Sequence, residues 1–213
     1  MTSPSAPQPT AQTECSQPPA ARTFPVHHHP TSSAPDPQLR LETLLVRSGT
    51  GTDPATGAIT TPIHLSTAYG HPGLGESTGY DYTRTASPTR DVLQDALARL
   101  EGGTAAFALS SGMAALELVT RTLAPHGSRI VALRDLYGGS FRFLEVLAEE
   151  EAAHVDFVLG LEGLRGALAD PADLVIIETP TNPMMEEISI PEAAELAHAA
   201  GAKLVVDNTF YTP

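Results

Sequence analysis

Basic residues and cysteine are both scarce in this sequence, and each scarcity excludes a class of protein. The chain has 12 lysine and arginine residues against 25 aspartate and glutamate residues, which gives a formal net charge of −13. No cluster of basic residues interleaves with aromatic ones, so we expect no nucleic-acid partner. The single cysteine, Cys15, excludes a disulfide framework and a thiolate metal cluster. This usage fits a reducing cytoplasm.

Long apolar runs are also lacking. No run approaches the roughly 20 residues that a membrane span needs, and the N-terminus lacks the basic and then apolar pattern of a secretory signal. We therefore expect a soluble, cytoplasmic protein without a membrane partner. The 213 residues, 41% hydrophobic and 17% charged, are enough for one domain with a core, plus extra chain.

The extra chain is predicted to lie at the N-terminus. Residues 1–38 hold nine of the 19 prolines, and this segment is predicted to be a disordered tail. The consecutive histidines His27, His28 and His29 lie in it, but adjacent side chains do not converge on one ion without a folded scaffold, so we predict no metal site. Residues 39–84 are predicted to form an extended arm with one short helix, 39–46, that packs on something other than its own domain.

From residue 85 onward, helical and strand patterns alternate. The predicted strands are apolar nearly throughout, which is typical of a parallel sheet covered on both faces. The predicted fold class is therefore α/β, an arm followed by a mostly parallel sheet with helices on both faces. Ligands bind such sheets beyond the carboxyl ends of the strands. The predicted strands are 105–109, 130–133, 154–158, 174–178 and 204–206, and the predicted helices are 91–100, 114–123, 140–151, 163–168 and 191–200.

A tight turn, Ser111-Gly112-Met113, joins the first predicted strand to a helix. Unpaired N–H groups and the positive end of the helix dipole favour an anion there, and glycine lets the backbone approach a phosphate closely. Small polar residues also cap helices for purely structural reasons. The turn alone leaves both interpretations open.

Three further strands end in side chains suited to a ligand. Asp207 follows a buried strand, where it can cap the next turn or pair with a cation. Asn182 lies between two prolines that are expected to hold the backbone extended while the amide is presented. Tyr137, at a glycine turn, can stack on a planar ring or simply pack.

The predicted arm carries Tyr82 and Arg84. An arginine fork makes strong charge-assisted contacts with phosphate, although an arginine at a surface needs no such role. An arm that does not pack on its own domain is expected to reach a neighbouring subunit.

Six segments, taken in order, resemble the N-terminal part of the Cys/Met-metabolism family of pyridoxal 5′-phosphate (PLP) enzymes. This family includes cystathionine synthases and lyases, methionine γ-lyase and O-acylhomoserine sulfhydrylases. The resemblance covers residues 44–213 and implies the aspartate aminotransferase-like large domain, with PLP as the cofactor. The segments are TGAITTPIHLSTAY, YDYTRTASPTR, LEGGTAAFALSSGMAA, DLYGGS, ETPTNP and VVDNTFYTP.

The resemblance also implies a role for each candidate residue. Tyr82 and Arg84 would hold the phosphate of the adjacent subunit's cofactor, within a homotetramer built from dimers. Tyr137 would stack on the ring and assist proton transfer, so that Tyr137 and Tyr82 are the implied catalytic residues. The other implied contacts are the phosphate cup, Ser111, Gly112 and Met113, the ring-oxygen contact, Asn182, and the ring-nitrogen partner, Asp207.

The sequence departs from the family in two places. Ala86-Ser87 stand where an asparagine commonly precedes the proline, which is a minor change. The family's Schiff-base lysine is absent, since the chain ends before the corresponding segment. The sole lysine, Lys203, lies on the same predicted strand as Asp207, about 13 Å away at the usual rise per residue.

The resemblance implies an enzyme of sulfur amino acids. The preferred activity is that of cystathionine γ-synthase, replacement at the γ carbon of an O-acylhomoserine by a sulfur nucleophile. Cystathionine γ- or β-lyase is the alternative. A truncated, non-catalytic product or a subunit-binding remnant is the alternative of another class, because the catalytic lysine is missing and the predicted domain, 85–213, is incomplete.

Overall fold

The computed structural model describes residues 39–51, 53 and 55–211. The predicted tail, with Cys15 and the three histidines, lies outside these residues. In chain order the elements are α1 (Leu41–Arg47), α2 (Pro88–Leu100), α3 (Gly112–Leu123), β1 (Ser128–Leu133), α4 (Gly138–Glu149), β2 (Ala153–Val158), α5 (Gly160–Ala167), β3 (Leu174–Glu178), α6 (Ile190–Ala199) and β4 (Lys203–Asp207). None of the described helices is both long and apolar enough to span a membrane.

The four strands form one parallel sheet in the order β2-β1-β3-β4. Strand β3 is buried at every position, from Leu174 to Glu178, as its uninterrupted apolar sequence predicts. Strand β4 is only partly covered and lies at one edge of the sheet. The predicted α/β class and the parallel sheet are confirmed.

Helices cover both faces of the sheet. The chain passes from β1 through α4 to β2 on one side of β1, and then through α5 to β3 on the other side. Because such crossovers are right-handed, the reversal puts α4 on one face and α5 and α6 on the other. Helix α3 packs on α4, and α5 packs on α6. The fold is therefore a doubly wound sheet.

One predicted strand, residues 105–109, is wrong. The segment has no strand assignment, and Phe107 within it is 69% exposed. The Ala108 N–H donates to the side-chain oxygen of Gln94, 3.0 Å away on α2. A strand requires a hydrogen-bonded neighbour, and no part of the chain that the structure describes lies beside this segment as one.

The arm before α2 has little regular structure beyond α1. Two isolated antiparallel bridges, Thr50 with Thr60 and Ala68 with Tyr82, hold its turns. The Tyr80 hydroxyl donates to Asp91 of α2 at 2.9 Å, and burial, followed by this bond, raises the pKa of Tyr80 to about 12. Large apolar side chains of the arm remain exposed, Ile59, Ile63 and Leu65 among them. Helix α1 and Tyr80 thus pack on α2 of the chain's own domain, contrary to expectation, and packing of the rest of the arm on another surface stays a prediction.

Candidate cofactor site at the carboxyl ends of the strands

The reversal of strand order places a crevice between the carboxyl ends of β1 and β3. Ligands bind doubly wound sheets at such a switch point, because the connections leaving the two strands diverge to opposite faces. A hydrogen bond crosses this crevice, from the backbone N–H of Tyr137, after β1, to Oε2 of Glu178, at the end of β3, at 2.7 Å. The candidate site is built around this bond.

The Tyr137 ring lies against the start of α4 and beside Met113 of α3. A methyl group at Gly139 would lie 2.5 Å from Cε1 of Tyr137 and 3.0 Å from Sδ of Met113. The absence of a side chain at Gly139 therefore lets the ring and the sulfur approach the α4 backbone. The ring is 48% exposed, so one face is available to a planar ligand.

The start of α3 has the groups that an anion requires. Ser111 is the N-cap, and its hydroxyl oxygen accepts a hydrogen bond from the Ala114 N–H at 3.1 Å. This is the capping interpretation left open by the sequence. The hydroxyl proton remains able to donate, since a serine hydroxyl has one donor in addition to its lone pairs. Within the described ranges the N–H groups of Gly112 and Met113 also have no acceptor.

Asp207, at the end of β4, likewise uses one of its two carboxylate oxygens for structural hydrogen bonds. Its Oδ1 accepts hydrogen bonds from the backbone N–H of Thr209, at 3.1 Å, and from the Thr209 hydroxyl. The residue therefore caps the next turn, which is the first of the two uses that the sequence allowed. The structure gives its Oδ2 no partner among the described residues, so one carboxylate oxygen remains for a cation at the rim.

The segment that carries Asn182 does not run extended, so that expectation is wrong. Thr181 accepts a hydrogen bond from the Met185 N–H at 2.8 Å and donates its own N–H to Glu186 at 2.9 Å, which closes a turn. The peptide bonds before Pro180 and Pro183 are cis. The side chain of Asn208, after β4, donates to the Thr179 carbonyl. The turn and the end of β4 are thereby joined.

Glu178 lies at the candidate site but is not among the residues predicted from the sequence, although it begins the ETPTNP segment. Its side chain is 4% exposed, and it pairs in register with Asp207. Burial raises the pKa of its carboxyl group, as do Asp207 and Asp135, while the N–H groups of Tyr137 and Asn182 lower it by hydrogen bonding. A carboxylate ending an otherwise apolar strand is a signal that was present in the sequence.

Tyr82 and Arg84 lie apart from this rim. The Arg84 guanidinium stands over the Tyr82 ring, 4.8 Å from its centroid, and both side chains are exposed. Tyr82 also forms the bridge to Ala68 in the arm, and its carbonyl accepts hydrogen bonds from Thr85 and Ala86, just before α2. The structure thus brings together Ser111, Gly112, Met113, Tyr137, Asn182 and Asp207 but leaves the Tyr82 and Arg84 pair outside.

The family of this chain follows from comparison with known proteins. Residues 42–213 match the Cys/Met metabolism PLP-dependent enzyme family. The chain belongs to this family. Cystathionine γ-synthase from Haemophilus influenzae is 43% identical over 180 residues, 83% of this chain and 48% of that protein. Cystathionine γ-synthase/O-acetylhomoserine (thiol)-lyase from Bacillus subtilis is 43% identical over 175 residues, 81% of this chain and 47% of that protein.

Solved structures of this PLP-dependent family show the same fold. Cystathionine γ-synthase from Xanthomonas oryzae pv. oryzae, in complex with cystathionine, has a TM-score of 0.78 and 40% identity, over 82% of this chain and 46% of that one. Proteins named cystathionine β-lyase and cystathionine γ-lyase match at lower identity. The chain spans about half the length of the curated relatives it matches.

The residues at the rim fit the PLP of this family. An aromatic phosphate needs an anion site, a stacking face and a carboxylate beside the ring nitrogen, and the unpaired α3 N–H groups, Tyr137 and Oδ2 of Asp207 supply these three. A lysine does not complete the set. Lys203 is exposed at the first position of β4, whereas Asp207 is the last, so the two lie at opposite ends of the strand.

Proposed function

We propose that this chain forms the amino-terminal half of a PLP-dependent unit with cystathionine γ-synthase activity, replacing the acyl group of an O-acylhomoserine with a sulfur nucleophile. The observation that supports it most is the convergence of an anion site, an exposed tyrosine face and a free carboxylate oxygen at the switch point. The synthases among the relatives named above favour the same assignment. Cystathionine β- or γ-lyase activity is the second candidate, which the matching lyases favour.

Each rim residue has a defined task in this proposal. PLP supplies an electron sink for the carbons of the amino-acid substrate. The Ser111 hydroxyl and the N–H groups of Gly112 and Met113 hold its phosphate, and the Tyr137 ring packs on its face. Asp207 keeps a proton on the ring nitrogen through its free oxygen, and the Asn182 amide contacts the oxygen side of the ring. The proton-transferring lysine has to come from outside these 213 residues.

The arm is assigned to a neighbouring subunit in the same proposal. Exposed Arg84 and Tyr82 are placed to present a cation and a hydroxyl group to a phosphate that their own domain does not bring near. The assembly in this proposal is a cytoplasmic homotetramer built from dimers. A non-catalytic role for the chain by itself is favoured by one observation, the distance of Lys203 from the rim.

Binding of PLP tests the cofactor assignment. The chain is titrated with PLP and, separately, with pyridoxal, which lacks the phosphate, and the complex is then reduced with borohydride and weighed by mass spectrometry. We expect PLP to bind at least about tenfold more tightly than pyridoxal, since several charge-assisted hydrogen bonds are lost. No cofactor mass should be fixed on Lys203. Equal affinities would contradict the phosphate cup, and a modified Lys203 would contradict the separation of the two ends of β4.

The reaction is tested with the part of the family's length that this chain does not match. The chain is co-expressed with the carboxyl-terminal half of the Haemophilus influenzae relative, and the purified pair is given two substrate sets. Cystathionine formed from O-acylhomoserine and cysteine supports the synthase. Release of homocysteine or cysteine from cystathionine, without the first reaction, supports a lyase. A pair that assembles, binds PLP and catalyses neither reaction supports the non-catalytic alternative.

A further inference from the structure

Glu178 occupies the centre of the candidate site without belonging to the predicted ligand contacts. It ends β3, the strand between the two that carry the other rim groups, and its side chain is 4% exposed. Its Oε2 accepts the Tyr137 N–H at 2.7 Å, and the backbone N–H of Asn182 lies close enough to favour the ionised carboxylate. One buried side chain thus bonds the backbone of Tyr137 and lies beside that of Asn182, two residues that are predicted to touch the ring.

We propose that Glu178 is a positioning residue of the cofactor site, whose carboxylate fixes the backbone of Tyr137 by accepting its N–H group and so sets the position of the Tyr137 ring. The inference rests on the proposed function for its ligand. It does not require Glu178 to touch that ligand.

The local electrostatics agree with an anionic acceptor at this point. Tyr137 is the N-cap of α4, a helix of 12 residues, so the Glu178 carboxylate lies at the positive end of the helix dipole. An apolar side chain at this position would leave the Tyr137 N–H without this acceptor. Burial and the nearby carboxylates Asp207 and Asp135 raise the pKa of Glu178, whereas the hydrogen bond from the Tyr137 N–H lowers it, so that bond and the helix dipole both favour the ionised form.

The backbone of Glu178 belongs to the sheet, whereas that of Tyr137 does not. Glu178 is fixed by the ladder to β4, where it pairs with Asp207. Tyr137 lies in the loop between β1 and α4, and the N–H of an N-cap residue has no acceptor within its own helix. A side chain anchored in the sheet therefore ties this loop to the sheet and sets the distance of Tyr137 from the carboxylate of Asp207.

The test is amide hydrogen exchange, read residue by residue by NMR on the 213-residue chain. In Glu178→Gln one acceptor oxygen becomes a donor, and we expect exchange at the Tyr137 amide to accelerate by about tenfold or more. Core amides of β1 should keep their rates. PLP affinity should fall by about tenfold, while affinity for inorganic phosphate, held at α3, should stay unchanged. Glu117→Gln, the same substitution at an exposed α3 position paired with Arg121, is the control and should change none of these quantities.

The outcomes separate the inference from the proposed function. If Glu178→Gln does not fold, Glu178→Asp, which keeps the charge and shortens the reach, should show the same acceleration. Unaltered exchange at the Tyr137 amide in a chain that binds PLP overturns the inference alone. A wild-type chain that binds neither PLP nor phosphate overturns the proposed function, and with it the cofactor role assigned here. Equal loss of PLP and phosphate affinity also overturns the inference, since it indicates general destabilisation.

Discussion

Ser111 and Asp207 each use one atom for the fold and leave another for a ligand. The Ser111 oxygen caps α3 while its proton stays available, and Oδ1 of Asp207 holds Thr209 while Oδ2 stays without a partner among the described residues. The structural and the functional interpretations of such residues are therefore compatible. For both residues, the sequence pattern predicted a structural use and a ligand-binding use. Glu178 was not predicted, because its proposed role depends on a backbone donor that only the tertiary fold brings to it.

Gly139 tests the packing of the Tyr137 ring. In Gly139→Ala the new methyl group would lie 2.5 Å from Cε1 of Tyr137 and 3.0 Å from Sδ of Met113, so the half-exposed ring must move. We expect PLP affinity to fall by about tenfold, while the free energy of unfolding changes by less than about 1 kcal/mol, since the ring moves into solvent and alanine favours the helix. Titration with PLP and urea unfolding followed by circular dichroism measure the two quantities.

Gly166 in α5 provides the matched control. A methyl group there meets no atom within 4 Å. Gly166→Ala should raise the free energy of unfolding by about 0.5–1 kcal/mol through helix propensity and leave PLP affinity as in the wild type. If Gly139→Ala matches this control in affinity, the Tyr137 ring does not contact the cofactor.

At the scale of elements, local pattern predicted most of the α/β unit. The predicted strands 174–178 and 154–158 match β3 and β2 to within one residue. The sequence of β3 is apolar up to Glu178, as suits its buried position, and that of β2 alternates between polar and apolar residues, as suits an edge strand. Helix α2 begins three residues before its predicted start, since Pro88 sits favourably in its first turn. Residues 105–109 failed as a strand because pairing is a non-local property, and the neighbour that would make this segment a strand is not among the described residues.

The Arg129 side chain connects its own strand, β1, with β2 and with the segment between α5 and β3. No sequence pattern predicted these contacts. Its guanidinium donates to Asp156 of β2 at 2.6 and 2.9 Å and to the carbonyls of Ala167, Asp170 and Pro171 at 2.9–3.0 Å. These carbonyls end α5 and lead to β3. The side chain is 25% exposed, so its bonds are only partly screened by solvent.

We expect Arg129→Met to lower the free energy of unfolding by about 1–3 kcal/mol, because Asp156 and the carbonyls of the segment after α5 lose their charged donor. Arg129→Lys should recover less than half of this loss, since an ammonium group cannot reproduce the planar fork. Urea unfolding followed by circular dichroism suits this chain, which has no tryptophan. Arg121→Met is the control, because Arg121 is 55% exposed and its ion pair among the described residues is with Glu117 on the same helix. A loss from Arg129→Met no larger than that of the control would contradict the stabilising role of the Arg129 hydrogen bonds.

At the scale of the whole molecule, the chain presents surfaces that its own fold does not cover. Strand β4 is a partly exposed edge, and the apolar arm residues Ile59, Ile63 and Leu65 are exposed. Monomeric proteins rarely leave such surfaces open. The relatives are about twice as long as this chain, and the expected arginine does not contact the proposed phosphate site. Both observations agree with an assembly in which residues from more than one chain or segment form each site.

A mixture of two variants tests whether sites are shared between copies. Arg84→Ala removes the arm's cation, and Asp207→Asn removes the rim carboxylate, so each variant alone should bind PLP at least about tenfold more weakly. When the two are co-expressed with different tags, a mixed dimer contains one site with both wild-type groups, if the arm serves its neighbour. Random pairing then restores about a quarter of the wild-type high-affinity capacity. Capacity that stays at the level of the single variants, in dimers verified by light scattering, would show that each arm serves its own domain, because sites confined to one copy cannot complement each other.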